Sequence, residues 1–160
     1  DPVNGSCPTG CTSCVCNSPD TPIATPGGER AIADLREGDW VYSIDHGAIK
    51  AVRLVKTHRV EAPNHHVVEV VLARGATLHV SPRHPTADGR FFADLRAGDL
   101  LDGVRVASAL LVPYAHSHTY DILPDSDTGT YYAGGVLIGS TIAGAPRVGQ
   151  SSLGSAPASR

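Results

Sequence analysis

The chain has no methionine, no cysteine after Cys16, and no asparagine after Asn64. It also has no apolar run approaching the ~18 residues a membrane-spanning helix needs, and its first residues show no signal-peptide pattern. Each absence narrows the reading. A chain that starts at Asp1 with no Met anywhere reads as a segment of a longer precursor. Its address is then carried elsewhere, and a secreted or cell-surface precursor is the expected setting. A net charge of only -3 gives no basic face for nucleic acid or an anionic membrane. All four cysteines, Cys7, Cys11, Cys14 and Cys16, fall in the opening stretch. A disulfide framework would distribute them through the fold, so the body must stand on its apolar core alone.

What is present sorts into three parts. Residues 1–15, "DPVNGSCPTGCTSCV", are small, polar and turn-rich, and read as the end of an upstream module. Residues 143–160 are rich in Gly, Ala, Ser and Pro, the composition of a disordered tail. Residues 16–142 form the expected folded domain. Within it, "WVYSID" (40–45), "HHVVEVVL" (65–72), "ATLHV" (76–80), "VRVASALLV" (104–112) and "TYYAGGVLI" (130–138) read as strands bounded by Gly, Pro, Asp or Asn. Only "ERAIADL" and "RFFADL" could be helical, for one or two turns. The fold class is all-β. An internal repeat adds to this: "ADLREGD" (33–39) recurs as "ADLRAGD" (93–99), and "VRLVKTHRVEAPNHHVVEV" (52–70) lines up with "VRVASALLVPYAHSHTYDI" (104–122). Two halves in the same order predict a duplicated β unit with pseudo-twofold symmetry.

Three stretches resemble the Hedgehog/intein (Hint) family of self-cleaving domains. "CNSPDTPIATPGGERAIADLREGDWVYSID" (16–45) looks like the family's N-terminal block, with a nucleophilic Cys first, a Thr five residues on, and a Leu-x-x-Gly-Asp turn. "ATLHVSPRHPTADGRFFADLRAGD" (76–99) looks like its Thr-x-x-His block, with Ser81 for Thr and His84 as the histidine. "TYDILPDSDTGTYYAGGVLIGST" (119–141) looks like its C-terminal blocks. The resemblance implies the horseshoe-like Hint fold, a scissile bond at Val15–Cys16, and attack by the Cys16 thiol on the Val15 carbonyl to give a thioester. An amide is a poor electrophile, so its nitrogen needs a proton as it leaves. The resemblance gives that task to His84 as general acid, with Ser81 orienting His84 or the scissile peptide. Asp121, in "TYDI", matches an aspartate near the family's nucleophile and is a candidate proton acceptor.

The match is not complete. Splicing inteins end in His-Asn, whose Asn cyclises; counting along the last block puts Gly139-Ser140 there, and neither can cyclise. Gln150 lies too far on. N-terminal cleavage without splicing is therefore expected, with an external nucleophile as acceptor: water, a thiol, an amine or an alcohol. A Hedgehog-like domain would use a sterol, activated by an aspartate; an ungapped count places His58 there, and the tail lacks the apolar content of a sterol-recognition region. The expected partners are thus the domain's own N-terminal flank and a small acceptor, with no cofactor, in a monomer. Two alternatives stay open. "CPTGCTSCVC" could be a zinc knuckle on a catalytically silent β module, and an atypical C-terminus could still splice. Cys11 or Cys14 could also trap Cys16 as a disulfide, a candidate redox switch. Of the other histidines, His65, His66, His79, His116 and His118 read as surface or strand residues, with His65–His66 a conceivable ligand pair.

Overall fold

In the computed structural model the described residues are 16–142. Val15, Cys7, Cys11, Cys14, Gln150 and the rest of both flanks lie outside them. Among the described residues there are eleven strands: β1 Pro22–Thr25, β2 Gly28–Ala31, β3 Trp40–Asp45, β4 Ala48–Glu61, β5 His66–Leu72, β6 Thr77–Val80, β7 Leu100–Leu101, β8 Val104–Pro113, β9 His118–Pro124, β10 Tyr131–Ala133 and β11 Val136–Ile138. They form three antiparallel sheets, in the orders β11-β10-β1-β2, β3-β4-β9 and β6-β5-β8-β7. The two segments that could be helical are single 3-10 turns, Ile32–Asp34 and Phe92–Asp94. No helix among the described residues is long and apolar enough to cross a membrane.

The repeat is a repeat of structure. In each copy a 3-10 turn buries one large apolar residue, Ile32 or Phe92, and the leucine after it, Leu35 or Leu95. In each copy the aspartate carboxylate accepts from the backbone of the preceding arginine, Asp39 from Arg36 at 2.9 Å and Asp99 from Arg96 at 2.8 Å. The intervening glycines, Gly38 and Gly98, have φ of 90° and 95°, where a Cβ is strained. Their amides donate to Leu54 and Val106 on the strands that follow. The halves then exchange partners. β4 of the first half pairs with β9 of the second, and β8 of the second pairs with β5 of the first. Each half therefore lends a long strand to the other, and neither closes its own sheet.

The core lies where the sheets meet. Val68, Val70 and Leu72 of β5, Leu78 and Val80 of β6, Ile23 of β1, Tyr131 of β10 and Ile138 of β11 are all buried in one cluster. Alternation along β5 puts Val67, Glu69 and Val71 on the opposite face, as a period of two requires.

Candidate active site

Residue 17 links two of the sheets. Asn17 forms bridges with Val80 at the end of β6 and with Tyr120 on β9. Its amide donates to the Tyr120 carbonyl at 2.7 Å, and its carbonyl accepts from the Tyr120 amide at 2.8 Å. That pair of hydrogen bonds sets Cys16 at the junction, with none of its surface exposed. The Cys16 amide N–H donates to Ser81 Oγ at 3.1 Å, while the Ser81 amide donates back to the Cys16 carbonyl at 3.0 Å. Ser81, the residue after β6, is thus held against the nitrogen of the Val15–Cys16 bond.

Ser81 opens a tight turn, with the His84 amide on its carbonyl at 3.0 Å. The turn carries the His84 ring into the interior, edge-on to Phe92 and with no exposed surface. His84 Nε2 lies 2.7 Å from the Gly139 carbonyl oxygen. A carbonyl only accepts, so Nε2 carries the proton and, in the neutral ring, Nδ1 is the basic nitrogen. The site histidine is therefore tied to the position where a splicing intein would carry its penultimate residue. Gly139 is itself held by its amide on the Pro85 carbonyl at 3.1 Å.

Asp121 sits fully buried on β9 with four hydrogen bonds. Its Oδ1 accepts from Tyr131 Oη at 2.6 Å and from the Ile122 amide at 2.9 Å. Its Oδ2 accepts from the Thr141 amide at 2.8 Å and the Thr141 hydroxyl at 2.5 Å. Tyr131 Oη in turn accepts from Asn17 Nδ2 at 2.8 Å. Burial, with the Asp121 carboxylate beside it, pushes the Tyr131 phenol well up, so it stays a donor. The chain Asn17–Tyr131–Asp121–Thr141 connects the residue after the nucleophile to the end of the domain. His58 faces Asp121 across the β4–β9 register and is half-buried. It joins neither cluster by a side-chain hydrogen bond among the described residues.

The sequence reading missed His65. Its Nε2 lies 2.8 Å from Ser81 Oγ, and its ring is edge-on to Tyr114 at 5.9 Å. Burial, and then the neighbouring His66, push its pKa down. His66 is exposed, so the two side by side are not a ligand pair pointing the same way. A cavity of about 210 Å³ opens next to this contact, lined by Val67, Glu69, His79, Val112, Tyr114 and His116 among others. Tyr131 and Thr141 were also missed: they sit inside the C-terminal blocks, but nothing in their spacing marks them as partners of Asp121.

Sheets that exchange strands between two halves, around a cysteine, a Ser-x-x-His turn and a buried aspartate, define a Hint-type fold. The chain belongs to the Hint domain family, whose profile matches residues 15–116. Solved structures agree on the fold. A bacterial intein-like domain from Clostridium thermocellum superposes with a TM-score of 0.66 at 21% identity, covering 78% of this chain and 96% of that one. A DnaB intein from Synechocystis sp. PCC 6803 gives 0.64 at 13% identity, covering 80% and 99%. The MchDnaB-1 intein gives 0.62 at 24% identity, covering 77% and 98%. No curated protein sequence matches the chain.

Proposed function

We propose that residues 16–142 are an autoprocessing domain that cleaves the bond before Cys16, with residues 1–15 as its flank and 143–160 as a tail. The Cys16 thiol attacks the Val15 carbonyl carbon. The tetrahedral adduct collapses with cleavage of the C–N bond, leaving a thioester on Cys16 Sγ and an amine on Cys16. The thiol proton ends on that amine, so the step balances without a co-reactant. The observation that carries this reading is the Cys16 N–H donated to Ser81 Oγ at 3.1 Å. It places a hydroxyl, and with it the Ser-x-x-His turn, at the nitrogen of one peptide bond, where a leaving nitrogen has to be given a proton.

In this reading His84 moves the proton. Its Nε2 is held by Gly139, which fixes the ring and leaves Nδ1 basic, able to take a proton during attack and return it to the leaving nitrogen. Asp121 we assign to positioning: four hydrogen bonds engage it with Tyr131, Ile122 and Thr141. The thioester passes to an external acceptor, which is water by default or a thiol, amine or alcohol when one is present. His58 would be the residue that activates an alcohol. Ser140, in the place of a cyclising asparagine, has no amide, so the domain does not splice. The test uses the chain with a reporter protein upstream, incubated with and without dithiothreitol. The expected products by intact mass are a reporter ending at Val15 and a fragment beginning at Cys16, formed faster with the thiol. A chain that stays whole under both conditions would overturn the reading.

A further inference from the structure

The strand register places a second histidine behind Ser81. Along the outer face of the β5–β6 pair, Glu69 stands opposite His79, at 3.0 Å between side chains. On β6 one step of two residues, about 7 Å, leads from His79 to Ser81; on β5 two such steps lead from Glu69 through Val67 to His65, just before the strand begins. The same face thus ends in the His65 Nε2–Ser81 Oγ contact at 2.8 Å. His65 is fixed from behind: its carbonyl accepts from the Tyr114 amide at 2.8 Å, and its ring meets the Tyr114 ring edge-on. Tyr114 is anchored by its hydroxyl on the His118 carbonyl. A surface histidine would have none of these restraints.

Ser81 Oγ has one proton and must accept from the Cys16 N–H. Its hydroxyl rotor decides whether a lone pair faces that nitrogen. We propose that His65 is a positioning residue for cleavage: its unprotonated Nε2 accepts the Ser81 hydroxyl proton and so aims an oxygen lone pair of Ser81 at the Cys16 N–H. Protonated, Nε2–H becomes a donor to Ser81. Both Oγ lone pairs then receive N–H donors, the hydroxyl proton must leave the acceptor that fixed its direction, and the oxygen is no longer held in the one orientation that aims it at the Cys16 N–H. This inference rests on the cleavage reading above. It adds a residue outside the Ser-x-x-His turn and gives the site a pH dependence of defined sign. Neutral His65 is the competent form, so the rate holds at neutral pH and falls as pH drops through the His65 pKa. Burial and His66 set that pKa below the ordinary histidine value. The ionisable groups around it include His66 beside it, Tyr114, which burial and the nearby Tyr120, Asp20 and Cys16 push up and keep neutral, His116, whose ring meets that of Tyr114, Cys16, whose amide shares Ser81, and the Glu69–His79 pair further along the face.

Two measurements test it. In the uncleavable Cys16→Ala precursor, nitrogen NMR of the His65 ring at neutral pH should show Nε2 without a proton and Nδ1 protonated. A protonated Nε2 would overturn the proposal whether or not the parent chain cleaves. Single-turnover thiolysis with dithiothreitol is then followed against pH for the parent, His65→Ala and His65→Gln. The alanine variant should be slower by tenfold or more. Glutamine, whose side-chain oxygen accepts from Ser81 but does not titrate, should recover most of that loss and show no acid limb assignable to His65. Parent-like rates in His65→Ala, or an unchanged acid limb in His65→Gln, would overturn the role. A parent that never cleaves, beside an Nε2 found unprotonated, would count against the cleavage reading alone.

Discussion

Cys16 is wholly buried, and backbone hydrogen bonds of Cys16 to Ser81 and of Asn17 to Tyr120 hold its place. Cys16→Ala should therefore abolish cleavage at a cost of about 1 kcal/mol, the scale of one small buried group. His84→Ala should slow thioester formation by about 10²-fold or more, the usual contribution of a general acid–base group. Both are read by intact mass over time beside a thermal melt. A Cys16→Ala chain cut at the same bond, or a His84→Ala chain as fast as the parent, would contradict the assignment. Tyr131 makes a different kind of prediction. Its hydroxyl stands between Asn17 and Asp121 in a fully buried place. Tyr131→Phe leaves the Asn17 amide without that acceptor and Asp121 Oδ1 without that donor, at the same volume. Asp121 Oδ1 keeps the Ile122 amide and Asn17 Nδ2 keeps the Tyr120 carbonyl, so the loss is that of a buried hydrogen bond to a charged group, about 1.5–3 kcal/mol, and denaturant unfolding should show it. A change under about 0.5 kcal/mol would mean that the network does not brace the site.

At the scale of the elements, the two Gly-Asp turns offer a test of the duplication. Gly38 and Gly98 share φ near 90°, and a Cβ at either meets nothing within 4 Å. Alanine there is strained by backbone conformation alone, about 1–3 kcal/mol for a non-glycine in such a region. Gly38→Ala and Gly98→Ala should thus destabilise by similar amounts in chemical denaturation, and sharply unequal losses would show that the turns do different jobs. These turns were legible in the sequence because the Leu-x-x-Gly-Asp pattern is local. The strands β3, β5, β6 and β8 were legible too, since each is apolar on at least one face. β4, the longest strand, was not: only Leu54 of its fourteen residues is buried, so no alternation announces it. Its partner β9 is visible only once β4 is known. The site followed the same division. Cys16, Ser81 and His84 carry a recognisable spacing. His65 meets Ser81 diagonally, just beyond the ends of the paired strands β5 and β6, and Tyr131 meets Asp121 because β9 and β10 belong to different sheets brought together by Asn17. Such contacts belong to the fold, and no short stretch of sequence holds them.

For the molecule as a whole, the two ends of the domain meet at one site but are furnished unequally. The upstream end offers a thiol, a hydroxyl on the Cys16 nitrogen and a histidine. The downstream end returns to the same place: Gly139 receives His84 Nε2, and Thr141 is held by Asp121. Yet it has no side-chain amide that could cyclise, because Ser140 offers only a hydroxyl, and that hydroxyl accepts from the Ile142 amide at 3.2 Å. Nor is the deficit mended by substitution. A Cβ built at Gly139 would lie 3.1 Å from Pro85 Cγ and 3.4 Å from the Pro85 and Thr86 carbonyl oxygens. A histidine at that position must push into the turn that carries His84. The chain should therefore cleave on one side only. With reporter proteins on both sides, the expected products are the upstream reporter ending at Val15 and an unbroken fragment from Cys16 through the downstream reporter. The Gly139→His, Ser140→Asn double variant should give no ligated reporter pair, and its upstream cleavage should slow as the His84 turn is displaced. A ligated pair from the parent chain would show that splicing needs no asparagine here. A ligated pair from the double variant would show that the turn yields to the added side chain, and that the loss of splicing lies in two residues rather than in the packing around them.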